Sequence, residues 1–278
     1  MYMAFFVSDK GRKFFRFLRH LMIEGRQENG AEIKPPRLAQ ALFLFNAYIE
    51  SSYNLDDSAK TIMAEGMDTN VLIDSIYKSI QKKYKIGEIK AGLRVSGEYG
   101  NPLSYYQAII SYLSNDSLEL YVPSDYSNMQ EETMKLFKPS HQYTGDYYMP
   151  DVIVVRTWDN MPMFNKMVTS DRIATRQLSF TRIYAGKSPP KGKSQEAKYV
   201  LDSAIVRSTN QEHFCALITC NGKSMAFDGG SLVRLGELSW KTLLNKDTPW
   251  TFANKQDEPN DLRWNFMSSY QQLYYYRV

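Results

Sequence analysis

YVLDSAIVRSTNQEHFCALITCNGKSMAFD, residues 199–228, is the stretch that sets the architecture of the second half of the chain. Two apolar, β-branched runs at 200–206 and 214–219 flank a polar bend at 207–212, and a third short run, 224–227, follows Asn221-Gly222. Asn-Gly between alternating apolar runs is the strongest short-range hairpin signal, because both residues tolerate the positive φ that a tight antiparallel turn demands. Three consecutive antiparallel strands are therefore predicted. His213 falls at the mouth of the second and Asp228 at the end of the third, positions that lie side by side in a hairpin. A carboxylate there can accept from one imidazole nitrogen and fix the tautomer. Such a pair is either a structural hydrogen bond or the base and orienting acid of a nucleophilic site.

The pattern upstream is helical. The window 36–52 has proline in its first turn and Leu38, Leu42, Phe45 and Ile49 on one face. The windows 70–84 (Ile73, Ile76, Tyr77, Ile80, Tyr84) and 102–113 (Leu103, Tyr106, Ile110, Leu113) repeat that period. Helices first and strands after residue 151 predict an α+β protein.

The chain has 278 residues with 43% hydrophobic and 14% aromatic content, enough to bury a sizeable core and unlike a disordered or fibrous sequence. Its two cysteines, Cys215 and Cys220, share one extended run and lie too far apart there to bridge, which points to a reducing compartment. The opening 1–7 is apolar but too short for a secretory core, and positive charge follows it rather than precedes it. No apolar run approaches the roughly 18 residues of a membrane span. These features predict an intracellular protein, cytoplasmic or nuclear, without a membrane partner. Phosphate-loop, dinucleotide and metal-helix motifs are absent, so neither a cofactor nor a metal is expected.

Net charge is +4 and unevenly placed. Lys10, Arg12, Lys13, Arg16, Arg19 and Arg26 crowd the first segment, with Phe14, Phe15, Leu18, Leu21 and Met22 at helical spacing among them. This reads as an amphipathic helix with one packed and one solvated face, or as a basic surface for nucleic acid or an acidic partner. Lys187, Lys191, Lys193 and Lys198 form a second basic cluster at a Gly- and Pro-rich segment that reads as a loop.

Around His213 the order Y-x-L-x-S-x-I, a loop, His-Phe, a turn with lysine, and Phe-Asp resembles the histidine box of the ubiquitin-specific proteases. Three further segments fall in that family's order. Pro150, Asp151 and Val152 to Arg156 resemble its Leu-Pro-x-Val-Leu strand; Gly97-Glu98-Tyr99-Gly100-Asn101-Pro102 leading into Tyr105 to Ile110 resembles its Asp-Ala-His-Glu-Phe helix; Ser269 to Arg277 resembles its closing Ala-Tyr-x-Leu-x-Tyr strand. The resemblance implies a single papain-like domain over 1–278. A helical thumb would occupy about 1–115 and an antiparallel β palm about 116–278.

The departures concern chemistry. In that family a cysteine opens a helix, where the helix N-terminus and the histidine stabilise the thiolate. Here the comparable segment runs from Asn29 to Phe43; it places Ile33 at the nucleophile position and Asn29 and Glu212 at the cleft, and residues 29–48 contain no Cys, Ser or Thr. Glu212 stands where the family has glycine, adding bulk and negative charge at the cleft mouth. The zinc-bearing fingers are reduced to residues 114–149, which hold no cysteine. The expectation is a catalytically inactive relative that binds protein partners in a larger assembly, with ubiquitin binding weak or lost. Two alternatives remain open: an active isopeptidase with a nucleophile elsewhere, and a viral or ribonucleoprotein component using the fold as scaffold.

Overall fold

Asn221 and Gly222 both take positive φ, 51° and 75°, and close the hairpin around which the sheet is organised. In the computed structural model, the residues described are 3–51, 75–76, 79–80, 109–113, 120–121, 133, 138–139, 147–148, 150–156, 174–181, 196–211, 213–228, 235–252 and 262–278. The chain divides into two units, one of Met1–Val7 and Arg12–Leu118, the other of Ser8–Gly11 and Glu119–Val278. Helices α1 (Gly11–Glu24) and α2 (Pro36–Ser51) follow a π-helical turn, Met3–Val7. The strands are β1 (Leu120–Tyr121), β2 (Lys138–Pro139), β3 (Tyr147–Tyr148), β4 (Val152–Arg156), β5 (Gln177–Thr181), β6 (Glu196–Arg207), β7 (Phe214–Cys220), β8 (Lys223–Phe227), β9 (Leu235–Glu237) and β10 (Gln271–Arg277). Helices with a largely antiparallel sheet make this an α+β protein. Among the described residues no helix is long and apolar enough to cross a membrane.

In the first unit, α1 buries Phe15, Leu18 and Met22, and α2 buries Leu38, Ala41, Leu42 and Phe45, each at helical spacing. Phe6 of the opening turn sits between them, 5.7 Å from the Phe15 ring and 6.3 Å from Phe45. Gly25, at φ 66°, ends α1, and the Arg26 N–H returns to the Leu21 carbonyl, the glycine-terminated cap expected after a helix. The chain then doubles back through Asn29-Gly30 and bonds the Ile33 N–H to the Gly25 carbonyl. Of the two further predicted helices, residues 75–76, 79–80 and 109–113 are helical, and the remainder lies outside the described residues.

In the second unit the sheet runs β1-β4-β10-β6-β7-β8-β9. Its pairs are antiparallel except β1 with β4. Strand β6 is long enough to serve two neighbours on one edge, pairing β5 through Glu196 to Val200 and β7 through Ser203 to Arg207. Strand β10 is central, and Gln272 is held on both sides of its amide: it bonds the Tyr270 hydroxyl, and the Tyr274 hydroxyl donates to Gln272 Oε1 at 2.6 Å. One face of the sheet carries Ile153, Val155, Ala204, Val206, Cys215, Leu217, Ala226, Leu273 and Tyr275. They pack in one core with Trp240, Trp250, Phe252, Trp264 and Phe266.

Candidate functional site

The site grows from the β7–β8 register. Ala216 pairs with Phe227, so the next step of the ladder sets Asp228 opposite Cys215. His213 is two residues before Cys215, hence on the same face and diagonal to Asp228, within reach of a side chain across an antiparallel pair. The His213 carbonyl accepts from the Ser208 N–H at 2.7 Å, continuing the β6–β7 ladder by one rung and fixing the histidine backbone. The imidazole Nε2 then lies 2.5 Å from Asp228 Oδ1. The Trp264 ring stands 6.4 Å from the imidazole and is itself held by paired backbone bonds to Trp250. Asp228 is fully buried, whereas 36% of the His213 side chain is open to solvent. A carboxylate anchored in the core thus orients a histidine that stays partly open to solvent.

Cys215 shares that face and is 1% exposed. Burial, reinforced by the nearby Asp228 carboxylate, pushes its thiol well above the usual range. A neutral, enclosed thiol is neither nucleophile nor metal ligand. Cys220 lies on the opposite side of β7 by strand alternation, and neither cysteine is in a disulfide. Among the described residues no three His, Cys, Asp or Glu side chains are grouped to hold a metal.

Of the residues singled out in the sequence, His213 and Asp228 are brought together within the second unit. Ile33 and Asn29 belong to the first. Ile33 is buried three positions before α2, and exposed Asn29 turns its Oδ1 to the Ala31 N–H at 2.9 Å. Lys13 and Arg16 are exposed, and Lys10, Arg12 and Arg19 are half-buried. Glu212, Lys187, Lys191 and Lys193 lie outside the described residues. No protein-family model matches the chain, and no curated protein is significantly similar to it.

Three participants carry no local signal in the sequence. Trp264, beside His213, reads only as an apolar residue after a polar stretch. Asp9 accepts from the Asn221 and Gly222 N–H groups at 2.8 Å each, across more than two hundred residues. Asp202 is the residue skipped where β10 pairs Tyr274 with Ser203 and then Tyr275 with Leu201, a β-bulge. Its carboxylate accepts from the Lys10 N–H at 2.6 Å.

Burial raises the Asp202 carboxyl above its ordinary value, outweighing the Lys10 hydrogen bond and the Lys241 charge. A carboxyl raised in the folded state favours folding fully below pH about 4, its unfolded range, and that contribution fades as pH climbs through the folded value. Asp202→Asn keeps an acceptor for Lys10 and removes the titration. The variant is therefore expected to gain melting temperature relative to the parent as pH rises from about 4 to 7. A difference that stays flat or shrinks across that range counts against a buried, raised carboxyl.

Proposed function

We propose that this chain is a catalytically inactive relative of the ubiquitin-specific proteases that works as a protein-binding or structural module in a larger assembly. One observation carries the reading: an oriented histidine–carboxylate pair whose face presents a single thiol, Cys215, enclosed and held neutral. Covalent catalysis needs a nucleophile within hydrogen-bond reach of its base and open to substrate. Residues 29–48, which resemble the family's nucleophile segment, offer no Cys, Ser or Thr. The papain-like topology, the thumb-and-palm arrangement and the reduced fingers belong to this same reading.

Reduced fingers also set an expectation for binding. In the family, much of the ubiquitin surface is gripped by that extension, and affinity follows the quality of the central contact more than total area. Free ubiquitin should bind with Kd on the order of 100 μM or weaker, roughly 5 kcal/mol. NMR titration of labelled ubiquitin with the full chain measures it. Low-micromolar binding that is lost on substitution around His213 would replace the structural role with that of a ubiquitin reader.

A further inference from the structure

The β7–β8 turn is held by a carboxylate from the other end of the chain. Asp9 Oδ1 accepts from the Asn221 N–H and Oδ2 from the Gly222 N–H, each at 2.8 Å. Successive backbone N–H groups in a tight turn form a concavity suited to an anion, and Asp9 fills it. The Asp9 N–H donates in turn to the Thr219 carbonyl at 2.8 Å, and the Lys10 N–H to Asp202. Ser8–Gly11 is therefore a strap fastened to the sheet, and it belongs to the second unit although the residues before and after it belong to the first. Beneath it the buried Ser8 side chain bonds Asp202 and Tyr276, both buried as well.

The residues that receive this latch are chemically special. Asn221 and Gly222 are exposed, and open space surrounds the position a Gly222 side chain would take. An asparagine followed by an unhindered glycine can cyclise. The Gly222 nitrogen attacks Asn221 Cγ, the new N–C bond forms as the Cγ–Nδ2 bond breaks, and Nδ2 leaves as ammonia with the proton that Gly222 gives up. Water then opens the cyclic imide at either carbonyl, leaving aspartate or isoaspartate, and no redox partner is required. The attacking form is the deprotonated nitrogen. Here that proton is donated to Asp9 Oδ2, so its loss breaks a charge-assisted hydrogen bond and sets a developing anion against a carboxylate.

We propose that Asn221 is a deamidation site guarded by Asp9, and that its conversion unfastens the Ser8–Gly11 strap. The product carboxylate stands only a few bonds from the backbone nitrogen that Asp9 holds, and like charges at that range repel. Isoaspartate also reroutes the backbone through Cβ, lengthening a two-residue turn whose span sets the β7–β8 register and displacing the Gly222 N–H from Asp9. Because ammonia departs, the change is one-way. It takes the Lys10 N–H from Asp202, a carboxyl otherwise enclosed at the β6 bulge. The turn closes the end of β7 remote from His213, and the inference holds whatever that pair does.

Two measurements on the full chain test it. The parent and Asp9→Ala are held in mildly alkaline buffer, and the peptide containing Asn221 is followed by mass spectrometry that resolves amide, aspartate and isoaspartate. Conversion should be about tenfold or more faster in Asp9→Ala, the scale set by losing hydrogen bonds to a charged group. Asn221→Asp then supplies the product charge directly, since aspartate shares asparagine's tolerance of positive φ. Hydrogen exchange at Asp9 and Lys10 should rise severalfold in that variant, less so with added salt. It should stay at the parent level in Asn221→Gly, which accepts positive φ and brings no charge. Continued protection at Leu217 and Ala226, paired in mid-ladder, separates unlatching from loss of the hairpin. Equal conversion in the parent and Asp9→Ala, slower conversion without Asp9, or none in either overturns the guard. Exchange at Asp9 and Lys10 unchanged in Asn221→Asp overturns the release.

Discussion

Ubiquitin carrying a fluorogenic group at its C-terminus is expected to stay uncleaved in the presence of this chain, at any pH between about 6 and 9, the range in which an ordinary cysteine thiol begins to ionise. Peptidases of ordinary competence turn over at about 1–1,000 per second, and that rate depends on a thiolate formed beside the histidine. Cys215 shares a strand face with His213 but is enclosed, and both burial and Asp228 hold its thiol neutral. Ile33, at the position that resembles the family's nucleophile, is a buried hydrocarbon. An oriented base alone contributes a factor of about 100–10,000 and needs an acceptor bond already attacked by something. Signal should therefore match buffer, and ubiquitin with an electrophilic C-terminus should form no adduct. Turnover that disappears in His213→Ala would show that a nucleophile exists and would end the inactive reading.

Hairpin and bend were legible because their physics is local. Asn221-Gly222 announces its turn, and the apolar run 214–219 predicts a buried strand, as 215–218 are. The pairing of His213 with Asp228 follows from the same count, since a turn of fixed length fixes the register of everything that flanks it. Helix α2 was equally plain, with Pro36 at its start and four apolar residues on one side. What escaped the sequence is non-local. Nothing near Asp9 signals that its carboxylate secures a turn at the other end of the chain. A bulge at Asp202 arises from the mismatch between two paired strands and is invisible in either one alone. The lengthening of β6 to Glu196 has the same origin, because its first residues are held by β5 rather than by the hairpin. Trp264 reaches His213 only through bridges to Ser208 and Trp250, three segments that no periodicity connects.

If His213 and Asp228 persist without catalysis, their remaining role is to hold the β7–β8 edge, and that role has a measurable size. Asp228 is fully buried and bonded to an imidazole that is partly open to water. Removing the imidazole leaves a carboxylate in the core, although water entering along the vacated edge limits the loss. His213→Ala and Asp228→Ala should each cost about 1–3 kcal/mol. The double variant should lose less than the sum, leaving a coupling of about 1 kcal/mol or more, while Asp228→Asn, which keeps an acceptor, should be milder than alanine. The readout can be confined to the relevant unit, because Trp158, Trp240, Trp250 and Trp264, the chain's four tryptophans, all fall within Glu119–Val278. Denaturation followed by intrinsic tryptophan fluorescence thus reports the sheet and not the helical unit. That separation matters because two units need not unfold in one step. Coupling in stability, with no ubiquitin turnover to lose, identifies the pair as a structural bond. Single variants as stable as the parent would instead mean that the dyad is kept for something it meets in solution, since a buried carboxylate oriented toward an open imidazole would then contribute nothing to the fold itself.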